Sequence, residues 1–182
     1  ELGFPVDWSK SSHWRRVGGT AQCGPGTGGN GVMAYNYDLS NSCSHTTWQW
    51  FRGQSYSVRS VGELKTKPFA IPSSGGNIQF YQRSQTEQVY GFDVRTVYLD
   101  SPTVGRTQFG QWCGPKAPNR QLILFCADQG SPGNLEYAGL NVPSAYWGKN
   151  DVSLVFEFDS VDGLNNGYGG WWVDQVRFLP DL

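Results

Sequence analysis

Methionine occurs once in this sequence and histidine twice, and long runs of Ala, Leu, Glu and Lys are absent. That shortage argues against a helical bundle, which depends on such residues at helical spacing. Charge of one sign is also missing, because the formal net charge is −1. Without a basic surplus there is no electrostatic drive toward nucleic acid and no polybasic membrane anchor. No apolar run approaches the roughly 20 residues that cross a bilayer, so membrane insertion is not expected. The N-terminus, Glu1-Leu2-Gly3-Phe4, does not resemble a signal peptide. If the protein is secreted, the signal has been removed, or this is one domain of a longer chain. Catalytic signatures are equally scarce. His13 and His45 stand in no HExxH context, and no GxSxG nucleophile elbow, Walker A loop or Rossmann glycine pattern occurs. No catalytic residue is assigned.

What is present is aromatic and turn-rich. Eight Trp, nine Tyr and ten Phe suit pleated, half-buried surfaces, while 24 Gly and 10 Pro punctuate many short elements. A length of 182 residues fits one domain over 1–182. The glycine run at 24–31 must be loop, since ordering so many glycines costs too much entropy. Strands are predicted at 32–37, 48–51, 56–61, 67–71, 77–83, 89–100, 121–126, 151–159 and 171–179. In 77–83, Ile78 and Phe80 share a face. In 151–159, Val152, Leu154, Phe156 and Phe158 face one way and Ser153, Val155 and Glu157 the other. In 171–179 the set Trp172, Asp174, Val176 and Phe178 is read as the core face, opposite Trp171, Val173, Gln175 and Arg177. Segment 133–147 has room for one short helical turn, limited by Pro143. Many short strands without helical period predict an all-β, two-sheet antiparallel β-sandwich of jelly-roll type, with the last strand paired to an early one.

The four cysteines, Cys23, Cys43, Cys113 and Cys126, form no CxxC pair, which disfavours a zinc ribbon or a thioredoxin-type motif. Three disulfide pairings are possible, the simplest being Cys23–Cys43 with Cys113–Cys126. Either bridge implies an oxidising, extracellular compartment. Four separate buried thiols are the alternative, disfavoured because free thiols in polar loops are reactive.

The tail carries a family signal. Leu154-Val-Phe-Glu-Phe-Asp-Ser-Val-Asp-Gly-Leu-Asn-Asn-Gly-Tyr-Gly-Gly-Trp-Trp-Val-Asp-Gln-Val-Arg-Phe178 resembles the closing hairpin of MAM-like jelly rolls that accompany secreted metallopeptidases of the immune inhibitor A type. Upstream, Gly62-Glu-Leu-Lys-Thr-Lys-Pro-Phe69, the stretch from Ile78 to Asp93, and the opening Gly3-Phe-Pro-Val-Asp-Trp8 with Trp14 resemble that family's motifs in the same order. The family's second Asp after the Trp-aromatic pair is Gln175 here, and cysteines are not part of its pattern. The resemblance implies calcium near the meeting of two strands, with Glu87, Asp93 and Asp174 at the matching positions.

The residues themselves bear on calcium as well. An isolated carboxylate buried on a core face needs a cation or strong hydrogen bonds, which draws attention to Asp174; pairing with Arg95 or Arg177 or capping of backbone amides is its bland alternative. Calcium takes six to eight oxygens, and the loop holding Asp159, Asp162, Asn165 and Asn166 is a second candidate, although Asn, Asp and Gly are also what ordinary turns use. For sugar recognition the candidates are Trp112, Trp147 and Trp171, placed in loops or opposite Trp172, with Asn165 and Asn166 as hydroxyl-reading amides. Most tryptophans in a domain fill the core, so only an exposed ring qualifies. The expected function is a non-catalytic, secreted, calcium-binding recognition or adhesion module. It binds glycan or a cell surface and belongs with other domains of the same polypeptide. The alternatives are a structural accessory domain of a secreted metallopeptidase and, behind that, a glycan-active enzyme.

Overall fold

The computed structural model describes residues 9–10, 14–17, 32–35, 59, 61–85, 91–112, 136–161 and 170–181. They form β1 (Ser9–Lys10), β2 (Trp14–Val17), β3 (Val32–Tyr35), β4 (Val61–Lys65), β5 (Gly76–Gln85), β6 (Val94–Ser101), β7 (Gly105–Trp112), β8 (Glu136–Asn141), β9 (Ser153–Asp159) and β10 (Gly170–Pro180), with one 3-10 turn at Ser144–Tyr146. The first sheet has the order β1-β4-β9-β6-β7 and the second β2-β3-β10-β5-β8, each of five strands. Every strand pair is antiparallel. The protein is an all-β, two-sheet antiparallel sandwich, and its last strand lies between β3 and β5 as expected.

Alternation explains the core. Val152, Leu154 and Phe156 are fully buried and Phe158 nearly so, which matches the predicted inward face of the 151–159 segment. Ile78 and Phe80 meet them from β5, again with no exposure. Each such side chain contributes about 1.5–3 kcal/mol by leaving water. Tryptophans join the sheets. Trp14 of β2 donates its indole N–H to the Gly62 carbonyl of β4 at 3.0 Å, and Trp171 donates to the buried Gln82 amide oxygen at 3.0 Å. Gln82 is thus a polar residue on the core face of β5 because a buried indole needs an acceptor.

Several expectations are corrected. Segment 67–71 is extended but forms no strand; a single bridge, Phe69 to Val152, replaces it between Pro68 and Pro72, which lack N–H donors. The 89–100 strand begins only at Val94, because Gly91 and Asp93 hold left-handed φ values of 92° and 48°. Trp112, read as a loop residue, ends β7, an edge strand whose polar sequence concealed it. Within 133–147 the main element is β8, and the helical turn follows Pro143. The expected strands at 48–51 and 121–126 lie outside the described residues, as do residues 36–37, 56–58 and 60.

The largest correction concerns β10. Its buried residues are Trp171 and Val173, then Val176, so the core set changes parity along the strand. A register shift between Asp174 and Arg177 causes this: Asp174 pairs with Tyr81, but Arg177 pairs with Gln79, so a bulge turns the strand over. Trp171 is therefore core. The single face read for Trp172, Asp174, Val176 and Phe178 therefore does not run the length of the strand, since Trp171 and Val173 are buried together with Val176.

Candidate functional site

The sandwich offers two outer faces and two ends. On the first sheet, outward-facing residues of β4, β9, β6 and β7 build a charged lattice. Arg106 holds Glu63 at 2.6 Å and reaches Asp100 at 3.4 Å, while Lys65 holds Asp100 at 2.7 Å. The Tyr98 hydroxyl donates to Glu157 at 3.1 Å, and the Arg106 guanidinium lies 5.3 Å above the Tyr98 ring centre. Under this rim the floor residues Thr96, Ser153 and Val155 are buried.

Burial pushes the Glu157 carboxyl above its usual value; the Tyr98 hydrogen bond opposes that and the facing Glu63 adds to it. The Lys65 hydrogen bond holds Asp100 below its usual value. Glu63 and Glu157 are cross-strand partners. Paired carboxylates are the raw material of glycoside hydrolysis. Here, however, one is held by Arg106 and the other by Tyr98, so the face consumes its own polar capacity.

The outer face of the second sheet differs. Ile78, Phe80, Ala138 and Leu140 point inward, so the alternate residues of β5 and β8 face out. Tyr81 opposes Tyr137, Gln79 opposes Gly139 and Asn77 opposes Asn141. Tyr137 is 56% exposed and meets Tyr81 edge-on at 5.7 Å. On β10, Leu179 opposes Asn77 and is 45% exposed. Among the described residues, three of the five exposed large hydrophobic side chains, Tyr137, Leu179 and Trp147, lie on this face or at its end. The Asn77 amide donates to Asn141 at 3.0 Å. The Gln79 amide and the Asn141 Nδ2 engage no other described residue.

The sequence-derived ring candidates separate sharply. Trp171 is fully buried against Trp14 and Phe156, each with ring centres 5.7 Å away. Trp112 is buried too, packing against Phe80 at 6.1 Å. Neither is an open platform, because both belong to the core. Trp147 remains 41% exposed; its indole N–H is taken by the Val142 carbonyl at 3.0 Å, and its ring covers Gly75, where a Cβ would lie 2.5 Å from the ring. Sequence reasoning missed Tyr81 and Tyr137. The signal was the Glu136-Tyr-Ala-Gly-Leu-Asn141 alternation, obscured by its glycine and short length.

Of the acidic candidates, Asp93 and Asp159 have described side chains. Val61 and Val94 both pair with Asp159, at the end of β9. Asp93 is buried, as is Arg95 two residues on, so the chain carries both charges inward together. Asp159 is held by Arg59, whose Nε lies 2.7 Å from Oδ1, and it accepts the Val161 amide at 2.8 Å, as a turn-forming aspartate does. Glu87, Asp162, Asn165, Asn166 and the four cysteines lie outside the described residues, as does the Asp174 side chain. Among the described residues no group of three His, Cys, Asp or Glu side chains converges on a metal-sized site.

No protein-family model matches the chain, and no curated protein matches it. Solved structures do. Two cleaved adhesin domains of Lys-gingipain from Porphyromonas gingivalis are similar at 14% identity each. One match covers 99% of this chain and 94% of the adhesin domain with a TM-score of 0.51. The other covers 100% and 95% with a TM-score of 0.50. A carbohydrate-binding module specific for non-crystalline cellulose aligns at 12% identity over 96% of this chain and 89% of the module, with a TM-score of 0.48. What the two adhesin-domain likenesses establish is the β-sandwich fold.

Proposed function

We propose that this domain is a non-catalytic recognition or adhesion module that engages glycan or a cell surface through the outer face of its second sheet. The observation that carries the reading is that Tyr137 and Leu179 are exposed on one sheet face, with Trp147 exposed at its end, beside the amides of Gln79 and Asn141. Clustered exposed apolar groups beside polar ones mark contact surfaces, whereas scattered ones do not. The adhesin domains that share the fold support the same direction, as does the MAM-like resemblance, which we retain as part of the proposal together with an extracellular location. No described helix is long and apolar enough to cross a membrane.

Retention of the labelled domain on glycan arrays and on intact cells tests this reading. Leu179→Asp places a charge in the contact surface and is expected to weaken retention at least tenfold. Arg106→Ala, on the opposite sheet, is expected to leave it unchanged. Equal retention by the Leu179 variant and the parent would sink the proposal.

Calcium enters the proposal at the acidic end, at Asp93 with Glu87 beyond the end of β5. It serves as a stabiliser and not as part of the contact face. A cation bound only by the folded state raises the melting temperature by mass action. Melts in calcium and in EDTA are therefore expected to differ, and coincident melts reject the ion.

A further inference from the structure

Tyr137 lies down on the sheet because the next outward position of its own strand is a glycine. Gly139, two residues along the same face of β8, has no side chain, and a Cβ built there would stand 3.1 Å from the Tyr137 hydroxyl and 3.3 Å from the nearest ring carbon. The ring thus leans along the strand over a glycine instead of standing away from the sheet. Aromatic cover of an edge-strand glycine is a known way to protect a sheet. It also turns the flat of a ring, more than half exposed, toward solvent.

The surroundings specify what that ring can receive. Asn77, Gln79, Tyr81, Gly139 and Asn141 carry no charge, and Arg177, an exposed cation that opposes Gln79 from β10, already has an interaction partner of its own. Gln79 and Asn141 offer donors and an acceptor that no described residue uses. The cations Lys65 and Arg106 lie on the opposite sheet, paired with carboxylates. From Tyr137 to Asn141 the face runs four residues of strand, roughly 14 Å, which is room for a short chain of rings and not just one. Flat aromatic area flanked by neutral amides complements the C–H face and hydroxyls of a neutral pyranose and offers little to a sulfated or carboxylated sugar.

We infer that Tyr137, laid over Gly139, is the stacking platform for a neutral oligosaccharide lying along β8, with Gln79 and Asn141 bonding its hydroxyls. This rests on the recognition function proposed above and deepens it by naming the ligand class.

The test uses an array of neutral oligosaccharides and their sulfated counterparts, probed with the intact chain and three variants. The parent is expected to prefer neutral chains. Tyr137→Ala is expected to lose at least tenfold in affinity and Tyr137→Phe to stay within about threefold, because stacking needs the ring and not the hydroxyl. Gly139→Val discriminates further. A β-branched residue favours the strand and removes the need for aromatic cover, so melting temperature holds or rises. It also lifts the ring, so affinity falls at least tenfold. Unchanged affinity in Tyr137→Ala or Gly139→Val, or a preference for sulfated chains, overturns the inference. Absence of any neutral hit overturns it too. The wider reading then survives only if cell retention is still lost in Leu179→Asp.

Discussion

The two outer faces of the sandwich are built on the same backbone geometry and do different things with it. On the first sheet Glu63, Lys65, Tyr98, Asp100, Arg106 and Glu157 satisfy one another across four strands. On the second, the Tyr137 ring is exposed, and the Gln79 amide and the Asn141 Nδ2 bond no other described residue. The difference teaches that polarity alone does not mark a binding surface. What marks it is polar capacity left unused beside exposed ring area. Exposed ion pairs are worth little singly, but a lattice of them fixes side chains and takes up the donors and acceptors a ligand would need.

The comparison breaks if the two tyrosines respond alike to removal. Tyr98 stands opposite the buried Val155 and bonds Glu157, so Tyr98→Ala is expected to cost about 1–2 kcal/mol in urea unfolding. Tyr137→Ala is expected to stay within about 0.5 kcal/mol, as surface changes away from packing do. Equal costs would mean that Tyr137 is a packing residue like Tyr98.

A smaller effect sharpens the electrostatic half of the contrast. Burial raises the Glu157 carboxyl in the folded state, so the fold binds a proton there more tightly than the unfolded chain does. Stability from this group is present at low pH and falls as pH rises from the ordinary glutamate value through the raised one. Glu157→Gln keeps an acceptor for Tyr98 and removes the charge facing Glu63. Because the site is half-exposed the gain is modest: melting at neutral pH should rise by about 1–2 °C. The gain should vanish once pH drops below the carboxylate range. A pH-independent difference would point to packing and not titration.

How much of this was legible in the residues varies by element. The inward row of Val152, Leu154, Phe156 and Phe158 follows from period-two alternation within one strand, and so does the Ile78 and Phe80 pair. β7 escaped notice because its Gly, Gln and Thr show no alternation, and β8 because its alternation is short and interrupted by Gly139. Of the ligand candidates Trp147 alone kept exposed ring area, and Trp112 and Trp171 turned inward, since burial depends on what covers a ring and the sequence names no cover.

The chain by itself determined that the protein is built of strands, and which side of β9 faces the core, because side-chain alternation is local and aromatic, β-branched and glycine content set it. Only the tertiary structure decided which side of β10 faces in. The bulge between Asp174 and Arg177 reverses the strand midway, and a bulge is fixed by its partner, β5, and not by the residues it displaces. The same holds for Tyr137. Its neighbours Gly139, Tyr81 and Gln79 become one surface only when β5 and β8 pair in register.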